Sequence, residues 1–332
     1  MANASNDSSN IVWTYALKIT TVAHVAYVVQ GFLMIWGNAL ILLAIALNAR
    51  LHNKDFCLPA VLAVGDFCQG MGNLLGGMRR LMLIATNRYG SHVSAWHCAN
   101  TSPIVWWLVS KYLSNGTMLL ISIDRLMACV SALAYVKVTA KHLLLESASL
   151  GAVTLALTIG MYVDSYLQTQ TPVHSIFCYT SVPFSASFFM FLLNYQMFTG
   201  FLSAAIYAVA LFCVRCRKSG TMSALLQKNA DRQLKVTKML YYVVFMSFFL
   251  QTVPQGLRIW AKTIGRSFYD IANPLLNVII HTNYLNNIVI YVVKNKEVRY
   301  SIQCLMRCQK PQRNAVTDIS RGAQFQLRSV IS

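Results

Sequence analysis

Seven long apolar runs decide what this chain can become. They lie near residues 22–47, 56–78, 103–130, 147–167, 186–214, 236–260 and 268–293. Each reaches the roughly 20 apolar residues that a helix needs to cross a bilayer, whereas a barrel strand needs only about 10. Charged residues make up 11% of the chain and hydrophobic ones 56%; a soluble domain carries about a quarter charged residues. The expectation is an all-α membrane protein, a seven-transmembrane helix bundle over 22–293. A polar tail, 1–21, precedes it, and a segment with a short amphipathic helix, 294–332, follows. No short apolar core with a small-residue cleavage site precedes residue 20. The first run is therefore expected to act as its own insertion signal.

The formal net charge of +18 would suggest a nucleic-acid partner in a soluble chain. Its placement points to a lipid bilayer instead, with no nucleic acid. An odd number of spans leaves the chain ends on opposite sides. One side holds 20 of the 28 Lys and Arg, among them Arg50, Lys54, Arg125, Arg215, Arg217 and the tail from Lys294 to Arg328. The other holds Lys18, Arg79, Arg80, Arg88, Arg258, Lys262 and Arg266. The positive-inside rule puts the richer side in the cytoplasm and the N-terminus outside. The sequons at Asn3 and Asn6 then lie where glycosylation occurs.

Cys98 and Cys178 fall in outer segments, on the oxidising side. They read either as a disulfide tying the second outer loop to the top of the third helix or as two free thiols. Cys304 and Cys308 follow the last span in a basic amphipathic stretch. That context suits S-palmitoylation, and equally plain surface cysteines.

Ionisable groups in hydrocarbon cost several kcal/mol and mark function. Asp66 is mid-span in the second run and Lys111 in the third, while Asp124-Arg125 closes the third at the cytoplasmic edge. Trp107, Lys111, Ser114, Met118 and Arg125 follow steps of three, four or seven and share a helix face. Asn277, His281, Tyr284, Asn287 and Tyr291 form a second such face in the last run. Both faces are expected to look inward. Lys111 reads as a contact for a negative ligand group, as one half of a salt bridge with Asp164, or as a snorkelling cation.

Taken in order, these marks resemble the rhodopsin-like, class A, G protein-coupled receptors. Gly37-Asn38 and Asp66 stand close to the family's separation. Asp124-Arg125-Leu126 matches Asp-Arg-Tyr with Leu for Tyr. Phe248 and Pro254 sit at the aromatic switch and proline kink of the sixth helix. Asn287-Ile-Val-Ile-Tyr291 matches Asn-Pro-x-x-Tyr with Ile288 for proline. The pattern departs at Thr252, which stands where the family carries tryptophan, and in a fourth helix without tryptophan. Cys98 lies about two residues further from Arg125 than usual. The degenerate set is similar to the nematode chemosensory serpentine receptors, the Srsx-like group.

The resemblance implies a non-enzymatic plasma-membrane receptor that transduces an extracellular ligand, a small molecule or peptide, to a heterotrimeric G protein. It assigns coupling and activation to Asp124, Arg125, Tyr207, Phe248, Pro254, Asn287 and Tyr291. It assigns a sodium and water cluster to Asp66, Ser114, Asn283 and Asn287, and no cofactor or other metal. It places the ligand among Trp107, Lys111, Thr252, Gln255, Arg258 and His281. Trp107 stands where amine receptors carry aspartate, and His281 where opsins carry the retinal lysine. A transporter would show internal repeats and paired broken helices, and none is visible. A seven-helix channel of the insect chemoreceptor kind would place the N-terminus inside.

Overall fold

A computed structural model of the chain describes residues 3–52, 54–88, 90–131, 135, 138–168, 174–179, 183–217, 237, 240–264 and 266–307. The first helix runs Asn3–Leu47, the second Lys54–Ala85, the third Ser102–Val130, the fourth Ala140–Leu167 and the fifth Ala186–Arg217. The sixth is helical over 240–247, widens into a π-turn at Phe248–Thr252 and continues as Val253–Ile264. The seventh is Arg266–Lys294, and a last short helix, Lys296–Met306, follows it.

Lys18–Leu47, Ser102–Val130, Lys141–Leu167, Ala186–Cys213 and Asn273–Lys294 are each long and apolar enough to cross a bilayer. The second helix is more polar because its inward face buries Asp55, Asp66, Gln69, Asn73 and Arg80. Lipid and interior faces separate cleanly. On the first helix Val22, Val25, Val29, Phe32 and Trp36 are exposed, while Tyr27, Met34, Asn38 and Ile41 are buried. Such an apolar surface is untenable in water and ordinary in lipid.

Several helices outrun their apolar cores, because polar end turns extend past the hydrocarbon. The second continues to Ala85, seven residues beyond the run that ended at 78. The stretch 79–102 between the second and third apolar runs is therefore not one long loop. The helix stops near Asn87, whose φ of 54° is one that Asn tolerates at a helix C-terminus. A two-residue strand, His92–Val93, then pairs antiparallel with His174–Ser175. A one-turn helix, Ala95–Ala99, follows, with Ser94 accepting from the His97 amide. Cys98 sits on this turn, not on the third helix, which accounts for its two-residue displacement. It is bonded to Cys178, so the second outer loop is tied down over the bundle.

Helix packing in lipid relies on close backbone approach, because the hydrophobic drive between helices is weak there. The first and second helices meet at Gly31 and Gly70. A Cβ at Gly31 would lie 2.5 Å from the Leu74 nitrogen and 2.8 Å from the Gly70 oxygen. Gly31→Val is therefore expected to destabilise the bundle by about 1–3 kcal/mol through overpacking. Thermal unfolding of purified protein checks this; an unchanged midpoint would remove the close contact from the account.

The π-turn has a local cause. The Val253 amide bonds back five residues to the Phe248 carbonyl. Pro254 lacks an amide proton, and its ring would clash with the carbonyl four residues earlier. A wider turn just before it relieves that clash. The last helix starts at Asn295, whose side chain accepts from the Glu297 and Val298 amides. It packs through Val298, Ser301, Ile302 and Cys304, with Asn48 donating to the Ser301 hydroxyl at 2.6 Å.

Candidate functional site

The buried polar residues form three layers, from the mouth beneath the disulfide-tied loop, called outer, to the opposite, inner end of the bundle. The outer layer surrounds a cavity of about 640 Å³, its open mouth included, lined among others by Arg80, Trp107, Lys111, Leu192, Arg258 and His281. Trp107 donates from Nε1 to Asn73 Oδ1 at 2.8 Å. Its ring lies against Gly72 and Gly76, where a Cβ would collide with it. Arg80 donates to the Phe177 and Cys178 carbonyls at 2.9 and 3.0 Å. Its guanidinium stacks 5.0 Å from the Trp107 ring and 4.7 Å from Tyr179. The disulfide-tied loop is thus held from below by a cation on the second helix.

Lys111 donates to the Tyr284 hydroxyl at 3.4 Å. Asp164 is turned elsewhere, accepting from the Ser185 amide at 2.8 Å. Of the readings offered for Lys111, the pair with Asp164 is the one the geometry sets aside. Arg258 donates to Gln255 Oε1 at 3.0 Å, and Gln255 donates to Gln196 on the fifth helix. The His281 ring meets Tyr27 edge-on at 5.2 Å. Trp107, Lys111, Arg258 and His281 thus line one cavity, with Gln255 behind Arg258. Thr252 lies deeper, at a smaller cavity that it shares with Asn115, Gly200 and Phe248. Phe248 packs edge-on to Phe201 at 5.3 Å.

In the middle layer Asp66 is 1% exposed. Its carboxylate accepts from Ser114 at 3.1 Å and from Asn287 at 2.9 Å. No cation pairs with it among the described residues. Asn287 Oδ1 is buried without a partner. A carboxylate, a hydroxyl and a free amide oxygen make a donor set that fits a small hard cation. Asn283 does not join them. It donates to Gln251 Oε1 at 3.0 Å and accepts from Ser247 at 3.1 Å. Gln251 in turn donates to Asn115 Oδ1 at 2.7 Å. This amide chain links the third, sixth and seventh helices.

The inner layer centres on Arg125, which is 2% exposed. Its Nε donates to Asp124 at 2.9 Å, and its Nη2 contacts the same carboxylate. Nη2 also donates to the Tyr135 hydroxyl at 2.9 Å and lies 3.7 Å from Asp55. Lys54 donates to the Tyr135 carbonyl at 2.8 Å and sits 3.8 Å from that ring's centre. The second helix therefore fixes the inner loop over the arginine. Burial pushes the Tyr135 phenol up, so it stays protonated at neutral pH. Tyr207 donates to the Thr237 carbonyl at 2.7 Å, and the Tyr291 hydroxyl is buried without a partner.

Sequence reasoning missed Asn73, Arg80, Gln251, Asp55 and Tyr135. For two of them a signal existed. Asp66, Asn73 and Arg80 recur every seven residues, the spacing of a single helix face. Cys304 is buried on the last helix. Cys308 lies outside the described residues, as do the side chains of Asn3 and Asn6.

Among the described residues, long helices with apolar outer sides and a layered polar interior define a multi-pass membrane bundle. Residues 37–291 match the family described as 7 transmembrane receptor (rhodopsin family), and the chain belongs to that family. No match was found among curated proteins.

Proposed function

We propose that this receptor passes an extracellular chemical signal, chemosensory in kind, to a heterotrimeric G protein at the plasma membrane. The observation that carries the reading is the buried arginine at the cytoplasmic end. Arg125 is held by Asp124, Tyr135 and Asp55, with no exposed guanidinium to offer. A signal that parted the sixth helix from the third would free it toward a partner helix. Tyr207 and Tyr291 would turn in behind it through water. The bundle is the bistable element, and a ligand favours the state it binds better.

The outer cavity supplies the ligand site of this reading, with Trp107, Lys111, Arg258 and His281 on its wall. The cytoplasmic excess of Lys and Arg supports an extracellular N-terminus. Asn3 and Asn6 would then carry glycans, and Cys304 or Cys308 a palmitoyl chain. Sodium would be held by Asp66, Ser114 and Asn287, where it would neutralise the buried carboxylate.

Expression of the full chain with a panel of G protein reporters tests the reading. A glycosidase-sensitive mass shift lost in Asn3→Gln and Asn6→Gln would support the orientation; a cytoplasmic N-terminus would overturn it. Asp66→Asn is expected to change basal signalling, because it removes the charge around which Ser114 and Asn287 are arranged. Unchanged basal and ligand responses at equal surface expression would remove Asp66 from the mechanism.

A further inference from the structure

The outer cavity has a charge imbalance that helix packing does not explain. Lys111 is 9% exposed and Arg258 4% exposed, and they come from the third and sixth helices to line one cavity. Arg80 adds a third cation, already committed to two loop carbonyls. Among the described residues no carboxylate lines the cavity. A buried cation without a counter-charge is expensive, and two beside one cavity repel as well. Their neutral partners are sparse. Lys111 has one long bond to a phenol, Arg258 has one to an amide, and Arg258 Nε is buried with no partner. His281, which also lines the cavity, has a buried Nδ1 that is likewise unpartnered.

Apolar side chains line the same cavity. Leu108 and Leu192 line the cavity and belong to a buried cluster with Ile104, Tyr112 and Met161. Phe189 also faces the space. The lining therefore offers positive charge to an anionic group and hydrocarbon to an apolar body. Resting on the reading of the chain as a ligand-activated receptor, we propose that this cavity binds a small organic acid. Its acidic group sits between Lys111 and Arg258, and its apolar body lies against Leu108, Phe189 and Leu192. Arg80 serves to hold the second outer loop over the bound acid. A cationic ligand is rejected by repulsion, and a neutral isostere leaves both cations unmatched.

The test is binding to the full-length receptor in detergent, read as the rise in thermal midpoint without G protein. The probes are straight-chain carboxylates of two to ten carbons and 3-phenylpropionate, each paired with its primary amide and its primary amine. At least one acid is expected to stabilise the receptor while its amide and amine do not. Lys111→Gln and Arg258→Gln should each weaken that binding about tenfold or more, whereas Lys111→Arg retains it. In the unliganded receptor Lys111→Gln should raise the midpoint, because it removes an unmatched charge. If Lys111→Gln instead lowers the midpoint of the unliganded receptor, the charge is already matched within the chain and the proposal falls. It also falls if no acid outperforms its amide. Acid binding without any reporter response would leave this site standing and overturn the transduction reading. Reporter activity that responds to Arg125 substitution, with no acid bound, would do the reverse.

Discussion

Asp124→Asn is expected to raise ligand-independent G protein activation about tenfold or more, and Arg125→Ala to abolish activation altogether. The first effect follows from the inner layer's geometry. Asp124 gives Arg125 its closest and most complete partner, two contacts to one carboxylate. Breaking a buried ion pair by removing one member costs about 3–5 kcal/mol. The 3.7 Å contact to Asp55 and the Tyr135 hydroxyl recover part of that. A remainder near 1.4 kcal/mol already changes a two-state ratio tenfold. All of it counts against the resting state if the active state does not use the pair. Arg125→Ala removes the group that would face the G protein, so the freed helices have nothing to present. Nucleotide exchange on purified G protein, at matched receptor surface density, measures both. Equal basal exchange in wild type and Asp124→Asn would mean that the pair does not hold the resting state.

The fold was readable because bilayer thickness sets a length that polar loops interrupt. What failed was the outer end of the second helix. Arg79 and Arg80 look like loop charges in a linear reading. In the bundle Arg80 is 3% exposed, stacked on Trp107 and Tyr179 under carbonyls of the second loop. Only the seven-residue recurrence with Asp66 and Asn73 carried that information. The inward faces of the third and seventh helices were equally readable, since periodicity reports direction. It does not report which neighbour a side chain meets. Asn283 and Asn287 are one helical turn apart on the same face, yet Asn287 reaches Asp66 and Asn283 turns to Gln251. Tyr135 was unreadable for another reason. It is an inner-loop residue, and Lys54 on the second helix holds the loop there through the Tyr135 and Val138 carbonyls. Thr252 is intermediate. Its replacement of a tryptophan is visible in sequence, but its fit is not: a Cβ at Gly200 would collide with the Thr252 hydroxyl.

Gln251→Leu is expected to raise basal activity to a similar degree, by a separate route. Gln251 lies within the π-turn, where the backbone ladder of the sixth helix is already altered. Its one amide group donates to Asn115 on the third helix and accepts from Asn283 on the seventh. Asn283 also accepts from Ser247, one turn before Gln251 on the sixth helix. The clasp closes at the level where Pro254 makes the helix easiest to bend. Leucine matches the volume but leaves Asn115 Oδ1 and Asn283 Nδ2 unmatched. Each stranded buried group costs about 1–3 kcal/mol. An outward swing of the sixth helix would break these bonds in the wild type, so the substitution penalises the resting state alone. The thermal midpoint should therefore fall while basal exchange rises. A fall in midpoint with unchanged basal exchange would show that the clasp persists in both states and is structural only. The inner lock and the clasp share no residue. Their energies should add for independent sites, so the double variant with Asp124→Asn should multiply the two basal increases. A double variant no more active than either single one would mean that both act on one step.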